Sequence, residues 1–373
     1  MRTQEAIRHY DTRQRARNAR SARRSRGFAA LLFCALIAIL AGVTYLLGQH
    51  DARAATPMRL ATGSYVGNGI DNSPITGIGF QPDLVFVKCA CTEEAVVKTS
   101  TMGGDAAKPV TSNGGFQTNL LQALGPDGFT LGSSTLVNAN GVPYYWTAFK
   151  AGDEFAVGTY AGNGADDRSI TGVGFQPVWV TTFGDGDEAA FRPGTTAGDA
   201  SYLFDSTTAV TDRIQAMEAD GFEVGANANI NESGTTFHYA AWAGGANVTQ
   251  ATYMGDGIDN HSISGAGLQP ELLWVKADTT YVPLWRPESV QGDATLYWTP
   301  TGIQTNAVQA FHGDGFEVGS LNEVNRSAFL YHYLAIKDDP PPTATPTDTP
   351  PPTDTSTPTN TVAPTSTANA TDT

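Results

Sequence analysis

The polar residues that recur at fixed places in the chain are the first candidates for chemistry. A basic residue follows an apolar one at Val97-Lys98, Phe191-Arg192 and Trp285-Arg286. Beside rings such as Phe191 and Trp285, the cations Lys98, Arg192 and Arg286 are candidates to hold a sugar or an acidic group, with stacking on the ring. The alternative is an internal pair with a recurring Asp. Asp71, Asp166 and Asp259 recur beside Asn72, Asp167 and Asn260. Oxygen-rich loops of this kind can hold Ca²⁺, which takes roughly six to eight oxygen ligands. Asp-Asn and Asp-Gly pairs are also ordinary turn residues whose side chains bond their own backbone. Asp105, Asp199 and Asp293 each offer half of a glycosidase carboxylate pair, but nothing in the sequence identifies the other half. His238 and His332 share one repeat position with Tyr145, which argues for packing or hydrogen bonding and against a catalytic base.

Other constellations are missing. There is no G-x-S-x-G elbow, no H-E-x-x-H and no phosphate loop with G-K-S/T. Gly77-x-Gly79 leads into a Gln-Pro turn and not into a helix that could receive a phosphate. The sequence therefore predicts no catalytic residues and no cofactor, with Ca²⁺ at the Asp71 class of loops as the weak exception. Of the three cysteines, Cys34 lies in an apolar run. Cys89 and Cys91 are expected as two small thiols, since a spacing of two is too close for an unstrained bridge. A metal there would want further ligands nearby, and none are evident.

The elements that must position these residues come in three copies. GNGIDNSPITGIGFQPDLVFVK begins at Gly67, GNGADDRSITGVGFQPVWV at Gly162 and GDGIDNHSISGAGLQPELLWVK at Gly255. Tyr65, Tyr160 and Tyr253 mark corresponding starts, which sets a repeat of 93–95 residues. Each unit then carries Gly-Asp-Ala (Gly104, Gly198, Gly292), a Gln (Gln122, Gln215, Gln309), Asp-Gly-Phe (Asp127, Asp220, Asp314), an Asn (Asn138, Asn231, Asn325) and an aromatic strand. Short apolar or alternating runs separated by Gly, Asn-Gly and Asp-Gly read as strands of an antiparallel sandwich or barrel. The fold class is all-β: three tandem antiparallel β-sandwich modules over 62–152, 153–246 and 247–337. A six-bladed propeller is the competing reading, weakened because no unit halves internally. One stretch, Ala209 to Ala219, is expected to form a turn or two of helix. On this reading Gly supplies positive φ at turns, and Gln-Pro sets an extended approach to a buried strand.

Y-x-G-N-G, then I-x-G-x-G-F-x-P-D-L-V-x-V-K, then D-G-F-x-x-G with a late Asn and an aromatic strand, resemble a repeated module of phage tail and virion-associated proteins and of some bacterial surface proteins. The resemblance runs from Thr62 to Lys337. It implies a lectin-like or SPRY-like sandwich with a binding or structural role, and it carries no catalytic residues over. Unit 2 departs from the pattern: Thr181-Thr182-Phe183 replaces the usual strand end and its Lys is missing. If that Lys serves a ligand, unit 2 does not bind it. Unit 3 has Leu268 where Phe is usual.

The two ends read differently from the units. Residues 1–27 hold nine Arg between Arg2 and Arg26 and form a basic cytoplasmic region. Residues 28–48 are uncharged over a length that spans a bilayer, as a signal anchor or a signal-peptide core. In the linker 49–61, Ala52-Arg53-Ala54 supplies an A-x-A cleavage site after Ala54. Residues 338–373, rich in Pro and Thr, read as an extended, disordered stalk. The first 55 residues hold ten of the 22 basic and three of the 37 acidic residues, which leaves 12 against 34 for the body. So acidic a body is a poor ligand for nucleic acid. Together these features predict an exported, non-catalytic protein at the cell surface or outside the cell. It would touch the membrane only through its N-terminal segment and bind polysaccharide or another envelope component. A structural spacer without a soluble ligand is the alternative, and a polysaccharide-active enzyme is a second one. Asn231 and Asn325 begin N-x-S/T sites.

Overall fold

Gly and Asn-Gly turns cut the chain into strands, and each repeat lays its strands into two antiparallel sheets. A computed structural model describes residues 56–338. The expected segment at 28–48, the Ala54 cleavage site and the tail beyond Asp338 lie outside the described residues. Among the described residues no helix is long and apolar enough to cross a membrane.

The first repeat runs β1 (Arg59–Val66), β2 (Ser73–Thr76), β3 (Leu84–Cys89), β4 (Val96–Thr99), β5 (Lys108–Pro109), β6 (Leu121–Gly125), β7 (Gly128–Leu131), a single helical turn α1 (Thr135–Asn138) and β8 (Pro143–Lys150). The second runs β9 (Phe155–Ala161), β10 (Arg168–Thr171), β11 (Pro177–Phe183), β12 (Ala190–Pro193), β13 (Tyr202–Leu203), β14 (Ile214–Glu218), β15 (Gly221–Val224), α2 (Ala228–Asn231) and β16 (Thr236–Ala243). The third runs β17 (Val248–Met254), β18 (His261–Ser264), β19 (Leu272–Ala277), β20 (Leu284–Pro287), β21 (Leu296–Tyr297), β22 (Val308–His312), β23 (Gly315–Val318), α3 (Asn322–Asn325) and β24 (Leu330–Ile336). In every repeat a five-stranded sheet, ordered β1-β8-β3-β4-β5 in the first, faces a three-stranded sheet, ordered β2-β7-β6. A pairing of five and three strands is not two propeller blades, so the sandwich-like reading holds. The helix expected within Ala209–Ala219 is absent. Ile214–Glu218 instead forms β14, paired to β15, because tertiary pairing overrides local preference.

The middle strands are buried on both faces, and alternation assigns each face a different core. In β3, Val85, Val87 and Cys89 pack between the two sheets of their own repeat, whereas Leu84 and Phe86 point the other way. Leu84 and Phe86 meet Trp179, Phe183 and Trp242 of the second repeat and Trp274, Trp285 and Trp298 of the third in one shared core. Trp274 is its hub, with ring centroids 5.6 Å from Phe86, 5.7 Å from Trp179 and 5.1 Å from both Trp242 and Trp298. The three large sheets thus turn their inner faces to a common axis, and three satellite cores lie outside them.

The ring closes without a covalent link. β8 runs into β9 and β16 into β17, while Arg59 donates from Nε to Asp338 Oδ1 at 2.9 Å and from Nη2 to Oδ2 at 3.1 Å. At the opposite pole the modules share backbone bonds: Ala189 N donates to Val110 O at 3.0 Å, and Ala95 N to Trp298 O at 2.9 Å. The third equivalent position is Pro283, which has no N–H to give.

Candidate functional site

The recurring phrase is tied together by one carboxylate per repeat. Asp127 accepts from Gly77 N at 3.0 Å and Gly79 N at 2.7 Å. Asp220 accepts from Gly172 N and Gly174 N at 3.1 and 2.7 Å, and Asp314 from Gly265 N and Gly267 N at 3.0 and 2.7 Å. The G-x-G pair is therefore a cradle for an internal carboxylate. Both glycines have positive φ, and a Cβ on the next glycine, Gly128, would overlap the Ile75 carbonyl oxygen. The DGF motif and the opening phrase thus form a single folding element made from two distant stretches.

The other recurring polar residues are also engaged. Asn138, buried, accepts from Asn68 N at 2.9 Å and donates to Ile70 O and Gly132 O, both at 2.9 Å. Asn231 and Asn325 hold their own loops in the same way. As buried, bonded amides these two sequon residues are closed to glycosylation of the folded chain. Gln122, Gln215 and Gln309 donate to Asp71, Asp166 and Asp259 at 2.8, 2.9 and 3.0 Å. The candidate calcium carboxylates thus each accept from a side-chain amide, and among the described residues no three His, Cys, Asp or Glu side chains are grouped to share a metal ion. Asp105 and Asp293 accept from Asn119 N and Asn306 N, binding the far end of the same loop.

The candidate ligand residues fall inside the fold. Lys98 donates to Gly104 O at 2.9 Å and Ala106 O at 2.6 Å. Arg192 bonds the carbonyls of Thr196, Gly198, Ala200 and Ile214, and Arg286 those of Gly292 and Val308. Burial lowers the pKa of all three, opposed by the repeat Asp nearby. Phe191 and Trp285 are fully buried in the shared core. Being next to the cations in sequence, they point to the other face of the strand, so ring and charge do not form one site. The cations clamp the Gly-Asp-Ala loops instead.

Each module junction buries one lysine. Lys88 donates to Cys91 O at 2.9 Å and reaches Thr301 O of the third repeat at 3.1 Å. Lys276 donates to Thr279 O and Tyr281 O and lies 5.2 Å from the Tyr202 ring centroid of the second repeat. Burial brings both ammonium groups down to about 8. The second repeat has Phe183 at this place, and there the first repeat supplies Lys108, which donates to Ser112 O and Gly114 O. Lys108 aligns with Tyr202 and Leu296 on the strands facing the other two junctions. The missing lysine is thus replaced from across the interface.

Cys89 and Cys91 are joined in a disulfide, which corrects the expectation of two thiols. Their Cα atoms are 5.0 Å apart, inside the range that a bridge can span. Spacing alone misleads here because the strand ends at Cys89 and the chain turns at once. His238 and His332 sit between modules, each 2.7 Å through Nδ1 from a threonine hydroxyl of the preceding repeat, Thr101 and Thr195. Burial lowers both to about 4.

Two features were not legible as sites. An open cleft of about 580 Å³ lies beside the β8–β9 connection, lined by Thr56, Asp153, Phe155, Val173 and Phe175. Asp153 there already accepts from Thr56 N at 2.8 Å. At the pole where Ala95 and Ala189 bridge the modules, Arg213 is buried with Nε and Nη1 lacking partners. No protein-family model, curated protein or solved structure matches this chain.

Proposed function

We propose that the chain is an exported, non-catalytic surface protein whose three modules make one rigid head for adhesion to polysaccharide or another envelope component. The observation that carries this reading is the division of labour among residues. Recurring Asp, Asn, Gln, Lys and Arg side chains hold the repeats together, whereas the loops after β3, β11 and β19 (90–95, 184–189 and 278–283) differ in sequence from repeat to repeat. A common frame with individual loops is how a scaffold presents binding groups. The basic N-terminal region and the apolar stretch at 28–48 support export, and the Pro/Thr-rich tail supports display at a distance from the chain's neighbours.

A structural role as a lattice part is the second reading. It is favoured by Val66 and Ile70 of the first repeat and Met254 and Ile258 of the third, exposed at the ends of β1 and β17 and in the turns that follow them. The second repeat has Ala161 and Ala165 there. The full-length chain screened against a glycan array and isolated envelope fractions tests the first reading: saccharide or envelope binding is expected. A blank screen together with self-association that Ile70→Ser and Ile258→Ser abolish would replace it with the second.

A further inference from the structure

The repeats correspond position by position, and the first shows which group the open cleft of the second is suited to hold. Arg59, six residues before Tyr65, lays its guanidinium over the Phe80 ring, with Cζ 5.4 Å from the centroid. Asp338 fixes it there, accepting from Nε at 2.9 Å through Oδ1 and from Nη2 at 3.1 Å through Oδ2. The same carboxylate also accepts from Leu60 N at 2.8 Å. Under this cover Phe80 is buried. Ring, cation and carboxylate make one complete clamp, in which stacking and a charged hydrogen-bond pair act on the same guanidinium.

The second repeat keeps the ring and a carboxylate but not the cation. Phe175 stands at the place of Phe80 in the Gly-Phe-Gln-Pro phrase, and Glu154, six residues before Tyr160, stands at the place of Arg59. Glu154 turns elsewhere. Its side chain lies against Gly245, its Oε2 accepts from Asn247 Nδ2 at 3.3 Å, and it does not line the cleft of about 580 Å³ beside the β8–β9 connection. Phe175 does line that cleft and is only half-buried, and the exposed Asp153 lines it too. Asp153 Oδ2 accepts from Thr56 N at 2.8 Å, as Asp338 accepts from Leu60 N. Among the described residues its Oδ1 takes no hydrogen bond, and an ionised carboxylate has room for several donors. The third repeat has no such opening: Leu268 replaces the ring, and both Leu268 and Asn247, at the place of Arg59, are buried.

We propose that this cleft binds an arginyl side chain presented by a partner polypeptide, with its guanidinium stacked on Phe175 and bonded to Asp153. The ligand is the group that the first repeat supplies from within. An anion would meet the charge of Asp153, and an apolar group would leave that charge unanswered. An ammonium would pair with Asp153 but has no flat face to lay on the ring. The cleft is larger than one guanidinium, which leaves space for the partner's chain on either side of its arginine. The strongly acidic body draws a basic partner from a distance. The site goes beyond the adhesion reading above and does not depend on it, since it names a protein partner whatever saccharide the head binds.

The test titrates the full-length chain by ligand-observed NMR with N-acetylarginine amide, N-acetyllysine amide and guanidinium chloride. Two variants separate binding from folding. Asp153→Asn keeps an acceptor for Thr56 N and removes only the charge. Glu154→Arg places the first repeat's own residue in the second, so that the cleft fills itself. The arginine probe is expected to bind roughly tenfold or more tightly than the lysine probe. Asp153→Asn should weaken it by a similar factor, and Glu154→Arg should abolish it with the melting temperature unchanged or raised. Absence of binding by the unaltered chain, equal binding of the lysine probe, or undiminished binding in both variants would overturn the site. Guanidinium chloride binding as tightly as the arginine probe would reduce the cleft to a small-cation site and overturn the polypeptide partner. Binding that emerges only in Arg53→Ala would give the cleft to the chain's own arginine, three residues ahead of Thr56, and equally overturn an outside partner.

Discussion

Asp127, Asp220 and Asp314 each hold two backbone amides, so each removal leaves two donors in a turn without an acceptor. Asp220→Ala is expected to cost about 1–3 kcal/mol, read from urea unfolding. Gly128→Ala should cost more, since its Cβ would strike the Ile75 carbonyl, whereas Gly103→Ala meets nothing within 4 Å and should be near neutral. The histidines make a pH prediction. Their folded pKa of about 4 lies below the usual 6.5, so protons bind the unfolded chain more readily. Their contribution is complete above about pH 6.5 and is lost as pH falls toward 4. Thermal melts across this range should fall less steeply in His238→Tyr/His332→Tyr, which copies Tyr145 of the first repeat. An equal slope in both proteins would contradict the assignment.

At the scale of elements, the strands were legible because turn residues punctuate them and Gln-Pro sets the approach to β3, β11 and β19. The Gly-x-Gly, DGF and Asn motifs were legible as folding signals, but their partnership was not, since Asp127 lies some 50 residues from the glycines it holds. The basic residues misled for a definite reason. Adjacent residues on a strand face opposite ways, so Phe191-Arg192 and Trp285-Arg286 divide between two cores. The departure at Phe183 was visible, but its compensation by Lys108 required knowing which strands meet. This yields a coupling prediction. Lys108→Leu and Phe183→Lys each leave a junction with either no charge or two, and each should destabilise by about 1–3 kcal/mol. The double variant rebuilds the Leu296–Lys88 arrangement, and denaturant melts should show it more stable than the sum of the single changes.

On the scale of the whole molecule, the shared core makes the modules interdependent. Sequence could mark three units, but contacts among Phe86, Trp179 and Trp274 join residues whose inward faces look like any buried strand. A module cut out alone would expose its half of that core and is expected to stay unfolded, as judged by amide chemical-shift dispersion. Trp274→Ala should cost about 3–5 kcal/mol, and should loosen all three repeats, not just its own. The most direct measurement is differential scanning calorimetry of the full-length chain beside Gly128→Ala, a change confined to the first repeat. A single closed head predicts one cooperative transition, with calorimetric and van't Hoff enthalpies equal, that moves as a whole to lower temperature in the variant. A separate low-temperature peak carrying a fraction of the enthalpy, with the remainder unmoved, would show independent modules and contradict the fused core.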